Sequence, residues 1–91
     1  MSEMTEYIQK RIKESPEFAR EYFKEKERLE TAIALTELRE KMGLTQRELA
    51  EKIGKPQSTI GRIETGKTDV KFSTLAEIAF ALGKELKIEF V

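Results

Sequence analysis

Residues 44–66 contain the start and stop signals of two short helices that follow each other directly. Thr45 and Glu48 have the spacing of a capping box, in which the threonine oxygen accepts a bond from a free backbone amide and the glutamate reaches back. This pattern predicts a helix that begins at Gln46. Leu49, Ala50 and Ile53 then recur at helical spacing, so one face of this helix is expected to be buried.

A second helix is predicted almost immediately after the first. Gly54 suits the left-handed residue that ends a helix, and Pro56 suits the first position of the next one. The second helix should therefore begin two residues after the first one stops. In it Ile60 and Ile63 point inward. The opposite, outward face consists of Gln57, Ser58, Gly61 and Arg62.

Two short helices joined by such a turn form a helix-turn-helix arrangement, in which the second helix can enter the major groove of DNA. Gln57 can bond adenine N6 and N7, and Arg62 can bond guanine O6 and N7, whereas Ser58 is less selective. We expect these three side chains to contact bases. A hairpin of this kind can also be purely structural, and then none of them has a ligand.

Four further residues are expected to contact phosphates, which positions a protein on DNA without reading its sequence. Gln46 lies at the start of the first helix, where free amides favour an anion. Lys55, Thr59 and Lys67 flank the reading face. The two lysines could equally be ordinary solvated side chains.

The run from Leu38 to Leu82 resembles the Cro/CI-type (XRE) helix-turn-helix family in the motifs LRE, GLTQ, ELA, IG, QSTI, RIE, G and STLAEIAFALG. The resemblance implies a five-helix DNA-binding domain like those of phage repressors and bacterial regulators. It also implies phosphate contact at Gln46 and contacts at or near bases at Gln57, Ser58 and Arg62. Gly61 departs from the family, which often has a side chain there on the DNA side.

The composition makes several functions improbable. The chain has no cysteine and no histidine, so the commonest general bases, nucleophiles and zinc ligands are missing. We expect no enzymatic activity, no metal site and no cofactor. Since no apolar run approaches the roughly 20 residues of a membrane span and no signal-peptide pattern is present, a cytoplasmic location without membrane contact is expected.

The charge balance favours a dimer. The 91 residues carry 17 basic and 17 acidic side chains, and between Leu44 and Lys71 the basic ones lead only by six to four. Affinity for DNA depends strongly on how many phosphates are neutralised, so one subunit should bind weakly. Two subunits on half-sites about one helical turn apart would bind better.

The C-terminal residues are the only ones with the pattern of a strand. Ser73 or Thr74 should cap a helix that Gly83 ends, and Leu86, Ile88 and Phe90 then alternate with polar residues. A lone strand leaves unpaired backbone groups. It is therefore predicted to pair with its own copy in a homodimer, or to join the sheet of a partner.

The N-terminal residues form a charged helical arm that a DNA-reading domain does not need. A first short helix is predicted before Ser15 and Pro16, which restart the chain, and no breaker follows until Gly43. The arm could simply cover the domain or extend a dimer interface. Alternatively it binds a second protein by helix-in-groove recognition. The residues that would do so are Tyr7, Ile8, Ile12, Phe18, Tyr22 and Phe23.

The whole layout, with the ESPEF start of the arm and the GKELKIEFV end, is similar to the HigA antitoxins of bacterial toxin–antitoxin pairs. This resemblance implies that the protein binds a HigB toxin, a RelE-like ribonuclease that cleaves messenger RNA, and represses their shared operon. The homodimer expected from the charge balance and the C-terminal strand would then form a heterotetramer with the toxin. The alternatives are a stand-alone XRE-family regulator, and an interaction protein whose helix-turn-helix no longer binds DNA.

The predicted protein is thus mainly all-α. A helical arm spans residues 1–30, a five-helix Cro/CI-type domain spans residues 31–83, and residues 84–91 form a strand that pairs between chains. Its predicted partners are double-stranded operator DNA, a HigB-like toxin and a second copy of itself.

Overall fold

Five α-helices follow one another in a computed structural model that describes residues 4–91. They are α1 (Glu6–Glu14), α2 (Pro16–Lys41), α3 (Gln46–Ile53), α4 (Gln57–Glu64) and α5 (Phe72–Ala81). The described residues contain no strand. The mainly helical class predicted from the sequence is confirmed for this part of the chain.

The break between α1 and α2 lies where the sequence places it. The Ser15 hydroxyl accepts a bond from the Phe18 amide at 3.1 Å, and Pro16 occupies the first turn of α2. Helix α2 then continues for 26 residues. It crosses the boundary between residues 30 and 31 without interruption, and that division into arm and domain stays a prediction. Residues 1–3 of the predicted arm lie outside the described residues.

The hairpin of α3 and α4 agrees with its predicted start and differs slightly at its turn. Both bonds of the capping box are present, from the Glu48 amide to Thr45 Oγ1 at 3.1 Å and from the Thr45 amide to Glu48 Oε1 at 2.9 Å. Gly54 has the left-handed φ of +70° that ends α3. Pro56, predicted as the first helical residue, is instead the N-cap of α4 with an extended ψ of 146°. The turn is therefore one residue longer than expected.

The core lies where the second half of α2 meets the other three helices. Its most buried side chains are Leu49 and Ile60, which are 0% exposed. The remaining buried members are Leu35, Ala50, Ile63, Ile78 and Leu82. Residues 4–91 contain five helices, but α1 belongs to the predicted arm. Residues 31–83, predicted to hold five helices, therefore contain four, namely the second half of α2, α3, α4 and α5.

The C-terminal end differs from expectation in two respects. Helix α5 begins before Ser73 and Thr74, because Lys71 is its N-cap and no side chain caps it. Residues 84–91 form neither helix nor strand in the single chain. Leu86 lies in a hollow between α2 and α5, whereas Ile88 and Phe90 are exposed. The strand that pairs between chains remains a prediction.

Candidate nucleic-acid interface

Helix α4 has one buried face and one face open to solvent. Ile60 and Ile63 are buried in the core, and Gln57, Ser58 and Arg62 are exposed on the other side. Gly61 is half-buried between them. The predicted base-contacting side chains therefore share one accessible surface, which we call the reading face (Gln57, Ser58, Gly61 and Arg62).

A network of hydrogen bonds around Glu64 holds α4 in place. Arg39 on α2 donates from Nε to Glu64 Oε2 at 2.8 Å and from Nη2 to Oε1 at 3.1 Å. Its third bond goes to the Leu44 carbonyl at 2.8 Å. The side chains of Arg39 and Glu64 are only 16% and 6% exposed. A bidentate ion pair with so little solvent exposure fixes the relative position of α2 and α4 as well as balancing the two charges.

The same carboxylate also orients the first residue of α3. Gln46 Nε2 donates to Glu64 Oε1 at 3.0 Å. The side chain of Gln46, predicted to contact a phosphate, thus belongs to a network that connects α2, α3 and α4. The predicted phosphate contact is not tested by this bond.

The hydrogen-bond partners of Glu64 favour its charged form, although its side chain is only slightly exposed to solvent. Burial alone raises the pKa of this carboxyl, because desolvation disfavours the charged form. Hydrogen bonds from Arg39 and Gln46, the Arg39 charge and the Thr36 hydroxyl outweigh that effect, so the pKa of Glu64 lies below its ordinary value. The carboxylate is therefore ionised near neutral pH and acts only as an acceptor.

The other predicted phosphate contacts surround the reading face. Lys55 is half-buried in the turn, Thr59 is half-buried on α4, and Lys67 is exposed in the loop after α4. A hollow of about 370 Å³ separates α4 from the start of α5. Thr68, Lys71 and Thr74 line it together with Thr59 and Arg62. The sequence reasoning did not select these three, because their place beside α4 depends on how the loop folds.

The loop that carries Lys67 is attached to α2. Gly66 has a φ of +73°, and a Cβ there would lie 3.7 Å from Ala32 Cβ and 3.8 Å from the Arg28 carbonyl oxygen. Arg28 Nε donates to Asp69 Oδ1 at 2.7 Å. That bond lowers the pKa of Asp69 and raises the pKa of Arg28. The close approach and the ion pair place the loop beside the middle of α2.

The predicted partner-binding residues divide into two groups. Ile8, Ile12, Phe18 and Tyr22 are half-buried, whereas Tyr7 and Phe23 are exposed. Arg11 joins the two helices, since its guanidinium lies 4.6 Å from the centre of the Phe18 ring and donates to Tyr7 Oη at 3.2 Å. The arm thus consists of two helices that contact each other through Arg11 and Phe18.

Two exposed apolar residues of α2 were not selected from the sequence. Leu29 is 58% exposed and Ile33 is 48% exposed. Their spacing suggested a helix face shared with Phe18 and Tyr22. Only the packing of α1 and of the loop after α4 shows that this part of the face stays uncovered in the single chain.

Neither a metal centre nor a membrane span is found in residues 4–91. No group of three or more carboxylate, cysteine or histidine side chains lies close enough together to hold a metal ion there. No helix in that range is both long and apolar enough to cross a membrane.

A family model described as helix-turn-helix (HTH_3) matches residues 35–88. The match covers more than half of the chain, begins within α2 and contains α3, α4, α5 and most of the C-terminal tail. No curated protein and no solved structure matches the chain significantly.

Proposed function

This chain belongs to the helix-turn-helix family, and on that basis we propose that it is a sequence-specific DNA-binding repressor of the Cro/CI type. The observation that carries this proposal is the reading face. Its polar side chains stand on a helix whose other side is fixed in the core by Ile60 and Ile63. Family membership supports DNA binding in general, and the sequence-specific repression of an operon is our proposal.

Each contact has a chemical role in this proposal. Gln57 pairs with an adenine, Arg62 pairs with a guanine through O6 and N7, and Ser58 adds a less selective bond. Gln46, Lys55, Thr59 and Lys67 contact phosphates on either side. No catalytic reaction is assigned to the chain, which has neither histidine nor cysteine.

The proposal is tested with a duplex that the protein itself selects from a pool of random sequences. Arg62→Ala should weaken binding to that duplex by about 1–3 kcal/mol and relax one base position, whereas Lys67→Ala should weaken all duplexes alike and lower the salt slope by about one. Arg20→Ala and Lys13→Ala are matched controls, because both side chains are exposed on the arm. Failure of the parent protein to enrich any sequence would contradict the proposal.

We further propose that the protein acts as a dimer. Helix α5 has exposed apolar side chains as well as buried ones, since Ile78 is buried while Phe72 and Phe80 are exposed, Phe80 at 85%. Exposed apolar patches often mark sites of protein–protein contact. A second copy would cover this side of α5 and would pair the tail residues Leu86, Ile88 and Phe90 across the two-fold axis.

The dimer is tested by measuring mass in solution. Deleting Glu85 to Val91 should halve the mass at micromolar concentration and weaken binding to the selected duplex. Phe80→Ser should have the same effect if α5 lies in the interface, and Tyr7→Ser, which removes an exposed aromatic of the arm, is the control. An unchanged mass after the deletion would refute the pairing of the tail.

As a finer proposal, the protein is a HigA-type antitoxin that binds and neutralises a RelE-like HigB toxin. The support is a group of exposed apolar side chains on α1 and α2, namely Tyr7, Phe23, Leu29 and Ile33. Leu29 and Ile33 lie one turn apart on the same face of α2, and exposed apolar patches often mark sites of protein–protein contact. The homodimer would then bind two toxins as a heterotetramer.

Co-expression with the neighbouring open reading frame tests the antitoxin proposal. A small basic protein should be captured with the parent chain, and the double variant Phe23→Ser/Leu29→Ser should lose it. Glu51→Ser is the control, since Glu51 is exposed on α3, outside the arm and outside the proposed dimer interface. If no such protein is captured while DNA binding persists, the chain is a stand-alone XRE-family regulator.

A further inference from the structure

Gly61 is unlike the other glycines of the chain. Gly43, Gly54, Gly66 and Gly83 have φ values between +69° and +73°, which side chains with a Cβ rarely adopt. Gly61 has no positive φ and lies inside α4. Glycine weakens a helix interior relative to alanine. The backbone conformation therefore gives no reason for glycine at this position.

Packing within the described chain gives no reason for it either. A Cβ on Gly61 would meet one atom within 4 Å, Gln46 Oε1 at 3.7 Å, which is an ordinary van der Waals distance. An alanine would fit there. The absent side chain instead leaves a notch in the middle of the reading face, with Gln46 at its edge.

The side-chain amide of Gln46 is oriented by its hydrogen bond to Glu64. Glu64 accepts bonds from Arg39 and can act only as an acceptor when ionised, so Gln46 must turn its NH₂ group toward it, at 3.0 Å. The amide oxygen then faces the space above Gly61. Phosphate oxygens are acceptors too, so this oxygen cannot bind a phosphate. The phosphate contact proposed above for Gln46 would come from the second hydrogen of its NH₂ group. The groups that donate in the major groove are the exocyclic amines of bases.

We propose that Gly61 and Gln46 form one base-reading element, in which the notch admits a base pair and Gln46 Oε1 accepts a hydrogen bond from an exocyclic amine. The amine is N6 of adenine or N4 of cytosine. Gln46 is then a specificity-determining residue, and Glu64 is a positioning residue that acts through it. This inference rests on the proposed binding of DNA and adds a base contact to it.

Gly61→Ala is the decisive variant, because it fills the notch without disturbing the fold. Its melting temperature should equal or exceed that of the parent protein. Its affinity for the duplex that the parent selects from a random pool should fall roughly three- to tenfold, the value of one hydrogen bond. Its affinity for a scrambled duplex of the same length should not change, since phosphate contacts remain.

Modified bases identify the amine. Each adenine of the selected duplex is replaced in turn by purine, and each cytosine by 2-pyrimidinone, both of which lack the amine. One replacement should weaken the parent roughly three- to tenfold and leave Gly61→Ala, which has already lost the bond, unaffected. Whether this base is an adenine or a cytosine decides which amine is read.

Four results would overturn the inference. Gly61→Ala could bind the selected duplex as tightly as the parent, or it could melt at a lower temperature, which would mean that packing requires glycine. Uracil in place of thymine could be the only replacement whose effect depends on Gly61, which would assign the notch to a methyl group. If the parent selects no sequence, the proposed function itself fails and this inference with it.

Discussion

The two halves of α2 belong to one helix and have different surroundings. In the second half, Ala32 and Leu35 are buried and Arg39 is held by Glu64. In the first half, Phe18 is half-buried beside Arg11 of α1, Tyr22 is half-buried, and Phe23 is exposed. Four helices meet at the second half, whereas α1 is the main neighbour of the first. The first half carries aromatic side chains and the second half aliphatic ones, and both halves keep some of these side chains exposed, so burial along α2 depends on what packs there.

This contrast indicates which part of the helix the fold depends on. Most of the stability of a helix comes from packing of its apolar face. The second half should therefore unfold only with the domain, while the first half and α1 should open locally at lower cost. A partner that binds the arm could therefore change its conformation at a lower cost in free energy than a partner that binds the domain.

The largest expected effect tests the buried half. Leu35→Ala should lower the free energy of unfolding by about 2–5 kcal/mol, since Leu35 is 5% exposed and its loss leaves a cavity. The matched control is Leu29→Ala, which changes the same residue type on the same helix at an exposed site and should stay within about 0.5 kcal/mol. Urea unfolding of both variants measures the difference. Equal losses would remove the distinction between the halves.

A somewhat smaller effect is expected where the buried half is tied to α4. Glu64→Gln leaves the sheltered guanidinium of Arg39 without its counter-charge and should cost about 2–3 kcal/mol. Asp69→Asn is the control, because it removes the same kind of charge from the exposed Arg28 pair and should cost much less. Urea unfolding at neutral pH compares the two. A larger loss for Asp69→Asn would show that the loop, not the core network, holds α4.

The stabilisation from Glu64 should also depend on pH. Its pKa in the folded protein lies below the ordinary value of 4.5. As the pH falls, the unfolded chain is therefore protonated at Glu64 before the folded protein is. The contribution of Glu64 to the free energy of unfolding is complete well above pH 4.5 and disappears as the pH falls through the folded pKa. The difference in unfolding free energy between parent and Glu64→Gln should shrink as the pH falls below 4.5 and should vanish below the folded pKa of Glu64. A difference that does not shrink over the acidic range in which the protein stays folded would contradict this mechanism.

The smallest effect is expected in the exposed half. Phe18→Ala removes the ring that Arg11 covers and that stacks with Tyr22 at 6.3 Å. It should cost about 1 kcal/mol, and the loss should be confined to the arm. Hydrogen exchange should accelerate in α1 and leave α3 and α4 unchanged. Acceleration throughout α3 and α4 would mean that arm and domain unfold together.

Local signals were sufficient for much of the fold. The capping box at Thr45, the serine cap before Pro16 and the left-handed Gly54 each depend on residues within one turn of each other, so the sequence predicts them directly. The predicted helix starts were less accurate where more than one neighbouring residue could serve as the N-cap. Pro56 and Lys71 became N-caps, which shifted the starts of α4 and α5 by one to three residues.

Long-range pairs could not be predicted in the same way. The sequence has 17 basic and 17 acidic side chains, and nothing local selects Arg39 as the partner of Glu64 or Arg28 as the partner of Asp69. The orientation of Gln46 and the exposure of Leu29 depend on these distant contacts. The exposure of Gln57, Ser58 and Arg62 on one side of α4 agrees with the sequence pattern, whereas the network around Glu64 was not predicted.

The sequence by itself determined, to within about three residues, where the helices begin and end, which of their sides are apolar, and that the chain holds a helix-turn-helix, because caps and periodicity act over a few residues. The tertiary structure decided which apolar sides are covered. It also decided which carboxylate orients Gln46, and it showed that the backbone conformation at Gly61 does not require glycine. Those outcomes depend on residues far apart in the chain, and only packing brings them within the few ångströms over which hydrogen bonds and van der Waals contacts act.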